Sequence, residues 1–321
     1  MSLDAAQTTA TPGDISLRWL LAIYLVVPLS AVVVVFDVIA LQGQWRDALP
    51  RDPGKTLWYL LLFGLPHIVA SEMTFLRRDY LARYRRLLTI ALPACVGLGL
   101  LLTYGLSRQI AYAIFACLTM IHVIGQQVGL SRGMVEGTSR FFRWWKWSLI
   151  GSACSVMIAL GLPPEGDNAW TTHTMVALGL LVISNLFFFM VVRDARHRTG
   201  YWYCCATHAM VIVAVLCFVL DYPFFAIMLP RLVHDVTAFA FYTTHERARA
   251  RQAAQPGRLR AALARGVTMY WALPLAAIAL ALSFNLLLPT LFVLTLTLLH
   301  YALESRIWRF GSPHREVIRF V

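Results

Sequence analysis

The sequence has few charged residues, and this scarcity is its first informative feature. Only 14% of the 321 residues are charged, whereas a typical water-soluble domain has about a quarter. Hydrophobic residues make up 59% of the chain, and apolar stretches of about 20 residues recur along nearly its whole length. This composition argues against an ordinary soluble domain and predicts an integral membrane protein.

Two features of secreted, disulfide-bonded proteins are also missing. Residues 1–14 are polar, contain Asp4 and Asp14, and include no basic segment before the first apolar stretch, so we expect no cleaved signal peptide. All six cysteines fall within apolar stretches, and none has the spacing of a metal finger. We interpret them as small packing residues, which argues against a disulfide framework and against a zinc site built from thiolates.

The apolar stretches are separated by connectors with proline, glycine and charged residues, as in polytopic membrane proteins. Helices are expected because an open chain cannot satisfy its backbone hydrogen bonds in lipid, and a barrel would need alternating strands of about ten residues. The predicted fold class is all-α, a membrane bundle of about ten transmembrane helices. The predicted spans are 17–40, 56–75, 87–106, 109–130, 146–162, 170–192, 201–220, 222–244, 268–284 and 286–308. We predict one transmembrane domain over residues 15–309, with a polar tail at 1–14 and a basic tail at 310–321.

The formal net charge is +12, and the positions of the basic residues decide what this excess means. Most of them lie in the loops after the second, fourth, sixth and eighth predicted spans and in the C-terminal tail. The opposite connectors hold only Arg46, Arg51, Lys55 and Arg108. Positive residues concentrate on the cytoplasmic side, so we predict cytoplasmic termini, an even number of spans and residence in the inner (cell) membrane of a bacterium. The same distribution argues against nucleic-acid binding.

Histidine is the residue type whose placement carries most information. Five of the nine histidines lie deep inside predicted spans, each about eight to ten residues from the cytoplasmic end, which corresponds to a depth of roughly 12–15 Å. These five are His67, His122, His208, His234 and His300. Polar groups are costly in hydrocarbon and usually face a bundle interior, so such a layer predicts a common site. The others, expected at interfaces or in loops, are His173, His197, His245 and His314.

Neutral imidazole is the commonest protein ligand for transition metals, and converging helices can present several imidazoles to one ion. We therefore predict a metal site formed by His67, His122, His234 and His300, with His208 as a further candidate. The structural alternative is that these histidines only form hydrogen bonds between helices.

Acidic side chains in the same spans are candidates for catalytic or orienting roles. Glu304 follows His300 by four residues and shares its helix face, so it can orient the imidazole or bind the metal. Glu72 is the second candidate catalytic acid. Asp235 and Arg231 are further charged groups near the histidines, and neutralisation of Arg231 by one of the acids is the alternative interpretation.

Two uncharged side chains have the same four-residue relation to a histidine. Ser71 follows His67, and Gln126 follows His122. We expect each of them to support its imidazole from the same helix face.

The predicted ligands also indicate a kind of reaction. Histidine and carboxylate without thiolate suit iron(II), zinc, copper or manganese. A site in mid-membrane is reached most directly by an apolar, lipid-soluble molecule, and such molecules more often lack hydrolysable bonds. This favours oxygen chemistry at iron(II), with dioxygen as the co-substrate and zinc or copper as the alternative metals. A single haem held by two of the histidines is the competing cofactor.

Four short motifs resemble those of the Brp/Blh family of membrane-bound β-carotene 15,15′-dioxygenases. They are Gly64–His67 (Gly-Leu-Pro-His), Ile121–His122, Leu232–His234, and His300 followed by Glu304. Their order and helix placement run over roughly residues 56–309. The resemblance implies a multi-span protein in which histidines hold a non-haem iron that cleaves the central double bond of a carotenoid with dioxygen, giving retinal. On this basis the first three motif histidines would be iron ligands.

The chain departs from the family pattern at several positions beside these histidines. Ile68 stands where the family has glycine, and Ser71 stands where the family has an acid, although this chain has an acid one residue later, at Glu72. The Gln126–Gln127 pair replaces another acid of the family, and Ala238 replaces a second histidine. The fourth ligand must therefore come from elsewhere, with His300 the first candidate and His208 the next. These differences indicate a divergent relative.

Two other functional classes remain as alternatives. An iron-dependent hydroxylase or desaturase of lipid chains would usually carry clustered H-x-x-H-H motifs, and the sequence has none. A transporter of metal ions or protons would spread polar residues from one membrane face to the other, whereas these gather in the inner half.

Overall fold

The computed structural model of the protein describes residues 13–56, 58–59, 63–135, 140–161, 167–253, 272–308 and 312–320. The helices in these ranges are α1 (Leu17–Ile23), α2 (Val26–Ala40), α3 (Gln44–Ala48), α4 (Leu65–Phe75), α5 (Arg78–Arg83), α6 (Arg85–Leu100), α7 (Arg108–Val135), α8 (Phe142–Gly161), α9 (Asp167–Arg193), α10 (Arg198–Val219), α11 (Pro223–Ala253), α12 (Ala272–Leu287), α13 (Thr290–Ile307) and α14 (Pro313–Glu316). A 3-10 turn at Pro53–Lys55, a π-helical turn at Leu101–Gly105 and the short strands β1 (Gly13–Ile15) and β2 (Ile318–Phe320) complete the described elements. The described chain is therefore all-α in class, as predicted.

Among the described residues, six helical segments are long and apolar enough to cross a membrane. They are Leu17–Ala40, Arg85–Gly105, Arg108–Gly133, Trp170–Arg193, Arg198–Val219 and Pro223–Arg249. Large apolar side chains are exposed along them; on α2, for example, Leu29, Val32, Phe36 and Ile39 all face outward. Such surfaces are stable in lipid and not in water, so the protein is an integral membrane protein.

The other four predicted spans coincide with helices that are shorter or more polar. In two of these the described helix, α4 with 11 residues or α12 with 16, is shorter than the about 20 residues that cross the hydrocarbon core. The other two, α8 with 20 residues and α13 with 18, carry charged side chains such as Lys146 and Glu304. The count of ten spans stays a prediction.

The chain divides into two compact units. The first unit comprises Met1–Trp19, Leu61–Val96 and Val236–Val321, and the second comprises Leu20–Leu60 and Gly97–Asp235. The single transmembrane domain predicted over residues 15–309 stays a prediction. Most of the predicted N-terminal tail, residues 1–12, lies outside the described residues.

The first unit is built around α4, which packs against α12 and α13. Its buried core is formed by Leu65, Ile68, Val69, Ala70, Ala238, Tyr242, Leu273, Ala277 and Ala281. In the same unit β1 pairs in parallel with β2, with Gly13 opposite Ile318 and Ile15 opposite Phe320. The two ends of the described chain therefore lie side by side.

The second unit is a helix cluster in which α8 packs against α7 and α9, and α10 contacts α2, α7, α8 and α9. Asp37, one of the buried acids of this unit, stabilises the local fold. The Asp37 carboxylate accepts hydrogen bonds from the Tyr222 hydroxyl at 2.7 Å and from the backbone N–H groups of Trp45 and Arg46, each at 3.0 Å. These two amides begin α3, so Asp37 caps that helix and has a structural role.

Candidate metal centre

The first unit brings two of the predicted ligands into ring contact. His67 lies in the first turn of α4 and His300 in α13; both are buried, and their ring centroids are 5.0 Å apart at an angle of 76°. The local sequence explains the position of His67. Gly64 adopts a φ of 65°, which favours glycine, and Pro66 then fits the first helical turn.

The ring of His300 is oriented by Ser71. The Ser71 hydroxyl lies 2.9 Å from Nδ1 of His300, and both side chains are buried. Sequence reasoning assigned Ser71 to His67 on its own helix, whereas the structure places this hydroxyl on a histidine of another helix. When Nδ1–H donates to Ser71, Nε2 carries the lone pair that can bind a metal ion.

The carboxylate of Glu304 faces the same nitrogen. Its Oε2 lies 3.5 Å from Nε2 of His300, one helical turn away, and both side chains are buried. Its other oxygen, Oε1, accepts a hydrogen bond from the Tyr242 hydroxyl. Glu304 therefore lies beside His300, as its four-residue spacing predicted. Its hydrogen bond to Tyr242 was not predicted, because Tyr242 is distant in sequence.

Glu72, the other predicted catalytic acid, lies in α4 of the same unit. Its Oε1 is buried and has no hydrogen-bond partner in the part of the chain that the structure describes. A buried carboxylate oxygen without a donor is costly, so this group fits a site that holds a proton or a cation.

The second unit contains another histidine pair. His122 in α7 and His234 in α11 are buried, and their ring centroids are 4.9 Å apart at an angle of 77°. Potential ligand atoms of the two side chains lie within 4.8 Å of each other. The buried carboxylate of Asp235 has an oxygen within 4.8 Å of a nitrogen of His234. Each unit thus contributes two of the four main predicted ligands.

His208 has different surroundings. Nε1–H of Trp145 donates to its Nδ1 at 3.1 Å, and its Nε2 lies 2.9 Å from Oδ1 of Asn185. The ring is also stacked on Phe188, with centroids 4.2 Å apart. Both nitrogens are used by the protein, so this arrangement leaves none for a metal ion.

His245 lies near the end of the candidate span Pro223–Arg249, as expected, but contrary to expectation it is not solvated. His245 is fully buried in α11, where its Nε2 lies 2.8 Å from the Tyr80 hydroxyl and its Nδ1 lies 3.2 Å from Oε1 of Glu246. Glu246 is held in turn by Arg77. Burial raises the pKa of Tyr80 above its ordinary value, so its hydroxyl keeps the proton that it can donate.

Sequence reasoning also missed a buried polar network in the second unit. Oε1 of Gln127 accepts hydrogen bonds from the hydroxyls of Tyr24 at 2.8 Å and Tyr203 at 3.0 Å, and Tyr24 also bonds to Thr207 at 2.9 Å. These groups join α7, α10 and the segment between α1 and α2. Only the tyrosine and threonine side chains within apolar stretches hint at it in the sequence.

The remaining predicted polar residues are spread through the molecule. Arg231 lies over the ring of Tyr59, 5.1 Å from its centroid. His197 is exposed, as expected, and His173 is partly buried. The side chain of His314 lies outside the described residues.

These contacts define what the residues can do chemically. A buried group of histidine and glutamate side chains is present that can hold a metal ion. Ser71 and Tyr242 supply the kind of outer hydrogen bonds that orient metal ligands. Imidazole and carboxylate fit iron(II), zinc, copper and manganese alike, so the ligand set alone does not select the metal.

No protein-family model, no curated protein and no solved structure matches this chain. The side chains themselves are therefore the basis for assigning a function.

Proposed function

We propose that the protein is a membrane-embedded, metal-dependent oxygenase that acts on an apolar, lipid-soluble substrate. The observation that carries the proposal is the presence of two buried histidine pairs, His67 with His300 and His122 with His234. Imidazoles are costly within membrane helices and are retained there mainly for function. Two such pairs, with carboxylates next to them, supply the ligand types that a transition metal requires.

In this proposal the two pairs serve one ion. The basis is the sequence, because all four histidines are expected at one depth on helices that run in the same direction. Glu304 is a further candidate ligand, and its approach to His300 supports that role. His208 is left out of the ligand set because its ring nitrogens already bond to protein groups.

Iron(II) is the proposed metal, with zinc and copper as alternatives. When bound, iron(II) supplies the activation of dioxygen that an oxygenase needs. Other residues of the chain orient the proposed ligands. Ser71 fixes the ring of His300, and Tyr242 fixes the carboxylate of Glu304. Glu72, with a buried oxygen that lacks a donor among the described residues, is the proposed proton-holding acid.

The specific reaction proposed is oxidative cleavage of a carotenoid. It is supported by the resemblance of the motifs around the four histidines and by the burial of those histidines in a membrane protein. A long polyene dissolves in lipid and can approach such a centre from within the bilayer. Hydroxylation or desaturation of a lipid chain is the alternative reaction of the same class.

We also propose about ten spans, cytoplasmic termini and the inner (cell) membrane of a bacterium as the location. Besides the basic residues of the loops, the pairing of β1 with β2 supports this topology. Strands that pair side by side must lie on the same side of the bilayer, which requires an even number of crossings between them.

The proposal is tested by elemental analysis of detergent-purified protein and of two single variants, His67→Ala and His234→Ala. These variants remove one histidine from each pair. If one ion needs both pairs, each variant loses nearly all of the metal that the wild-type protein retains. His197→Ala, which changes an exposed histidine, is the matched control and keeps the wild-type metal content.

The outcome also separates competing arrangements. Loss of about half of the metal in each variant would indicate two independent ions, and full retention would contradict a histidine-bound metal. Tightly retained iron supports the oxygenase, whereas weakly held, exchangeable zinc supports a transporter.

The carotenoid reaction has its own test. Expression in carotenoid-producing cells should bleach their colour and yield retinal, while cells that express His300→Ala should keep their pigment. Unchanged colour with tightly bound iron would contradict carotenoid cleavage and favour a lipid-chain hydroxylase or desaturase.

A further inference from the structure

A chain of hydrogen bonds in the first unit ends on the carboxylate of Glu304. Nε1–H of Trp308 donates to the Tyr242 hydroxyl oxygen at 3.2 Å, and the Tyr242 hydroxyl bonds to Oε1 of Glu304. The other carboxylate oxygen, Oε2, lies 3.5 Å from Nε2 of His300. The two oxygens of one carboxylate therefore have separate partners.

The direction of these bonds follows from the chemistry of the donors. An indole N–H can only donate, so the Tyr242 oxygen accepts from Trp308. A phenol has one proton, and the remaining partner, Glu304, accepts it. Trp308 thus directs the Tyr242 proton toward Glu304, and Oε1 of Glu304 accepts this hydrogen bond.

Tyr242 is itself held in place by packing. It is fully buried, belongs to the core around α4 and α12, and its ring lies 5.4 Å from that of Trp308. A side chain fixed in this way can fix its own hydrogen-bond partner, because little rotation is left to either of them.

We propose that Tyr242, directed by Trp308, is a positioning residue that makes Glu304 a one-oxygen metal ligand through Oε2. This inference rests on the proposed function and deepens it by assigning the coordination mode of the carboxylate. With Oε1 engaged by the phenol, Glu304 presents a single oxygen beside Nε2 of His300. If a metal ion were bound, a carboxylate that used both oxygens would occupy a position that a co-substrate needs, and the bond from Tyr242 would prevent this.

The competing explanation is that Tyr242 only fills the core. A phenylalanine has nearly the same shape, so Tyr242→Phe keeps the packing and removes only the hydroxyl. Under the positioning role, Oε1 loses its donor and the carboxylate becomes able to rotate. Removing such outer hydrogen bonds typically weakens metal binding by about 10–100-fold.

The experiment uses the full-length protein in detergent, with cobalt(II) as a spectroscopic probe. We expect Tyr242→Phe to raise the cobalt dissociation constant by about 10–100-fold. We also expect the visible absorption of bound cobalt to change, because a released carboxylate can bind through both oxygens and raise the coordination number. Packing alone would not alter that spectrum.

Two further variants keep the test decisive. Tyr203→Phe removes another buried tyrosine hydroxyl, one that bonds to Gln127, and should leave cobalt affinity and absorption at wild-type values. Trp308→Phe keeps the Tyr242 hydroxyl but removes the indole N–H that donates to it. We expect a smaller change in cobalt affinity and absorption, in the same direction, and this variant remains informative if Tyr242→Phe fails to fold.

Wild-type affinity and spectrum in both Tyr242→Phe and Trp308→Phe would overturn the inference while leaving the metal site intact. Absence of cobalt binding by the wild-type protein would instead overturn the proposed function, and this inference with it. The two failures are therefore distinguishable.

Discussion

The regions around His208 and His300 show how two buried histidines, expected at the same depth, come to differ. At His208 the indole N–H of Trp145 can only donate, so Nδ1 accepts and Nε2–H must donate to Oδ1 of Asn185. The tautomer is fixed, both nitrogens are satisfied, and the stacked ring of Phe188 completes the enclosure.

At His300 only one nitrogen has a role of that kind. Nδ1 bonds to Ser71, while Nε2 lies 3.5 Å from a carboxylate oxygen of Glu304, and the ring as a whole contacts another imidazole, that of His67. Burial alone therefore does not separate a structural histidine from a candidate ligand. The partners make the difference: at His208 an indole and an amide from neighbouring helices, at His300 a carboxylate from the same helix and an imidazole from α4.

The largest effect is expected from His300→Ala. If this ring binds the metal, its loss should lower the metal retained by the purified protein to below about a tenth of the wild-type value. Elemental analysis measures the change, with His208→Ala prepared in parallel. Equal metal loss in the two variants would contradict the assignment of His300 as a ligand and His208 as a structural residue.

Ser71→Ala should produce an intermediate effect. It removes the hydrogen bond that orients His300 but leaves the imidazole in place, so metal affinity should fall by about tenfold or somewhat more. A chelator competition titration measures the change. Ser152→Ala, which removes a buried hydroxyl bonded to a backbone carbonyl in the second unit, is the matched control. An unchanged affinity in Ser71→Ala would show that the hydroxyl does not orient a ligand.

His208→Ala should affect stability and not metal. It leaves the indole N–H of Trp145 and the Asn185 side chain without their buried partner, which should lower the free energy of unfolding by about 1–3 kcal/mol. Thermal unfolding in detergent, compared with metal content on the same sample, measures both properties. Metal loss without destabilisation would contradict the structural role.

The smallest effect is expected from Tyr24→Phe. Its hydroxyl bonds to Gln127 and Thr207, so its removal should lower the free energy of unfolding by about 1 kcal/mol and leave metal content unchanged. The same unfolding measurement applies. A change in bound metal would mean that this network takes part in the site.

The sequence was sufficient to predict the membrane class, the all-α fold and the burial of the histidines chosen as ligands. Hydropathy and helix geometry predict how deep in the membrane a residue lies. Because polar groups are costly in lipid, histidines at such depth are candidates for a functional site. The relation of Glu304 to His300 was also within reach, because residues four apart share a helix face.

Contacts between helices were beyond sequence reasoning because they depend on how helices rotate against each other. Ser71 was assigned to His67 on its own helix, but it bonds to His300 on α13. Tyr242 was not linked to Glu304, since nothing in the local sequence pairs the two residues. His245 was expected near solvent because it lies close to a span end, yet helix packing around Tyr80 buries it completely.

We propose above that imidazoles from separate helices bind one metal ion. Iron-edge X-ray absorption of the purified, iron-loaded protein tests it most directly, because imidazole rings give a characteristic scattering pattern around the metal. We expect one iron environment with about three or four imidazole ligands. An iron site with at most one imidazole, or a protein that retains no iron, zinc or copper at all, would contradict it.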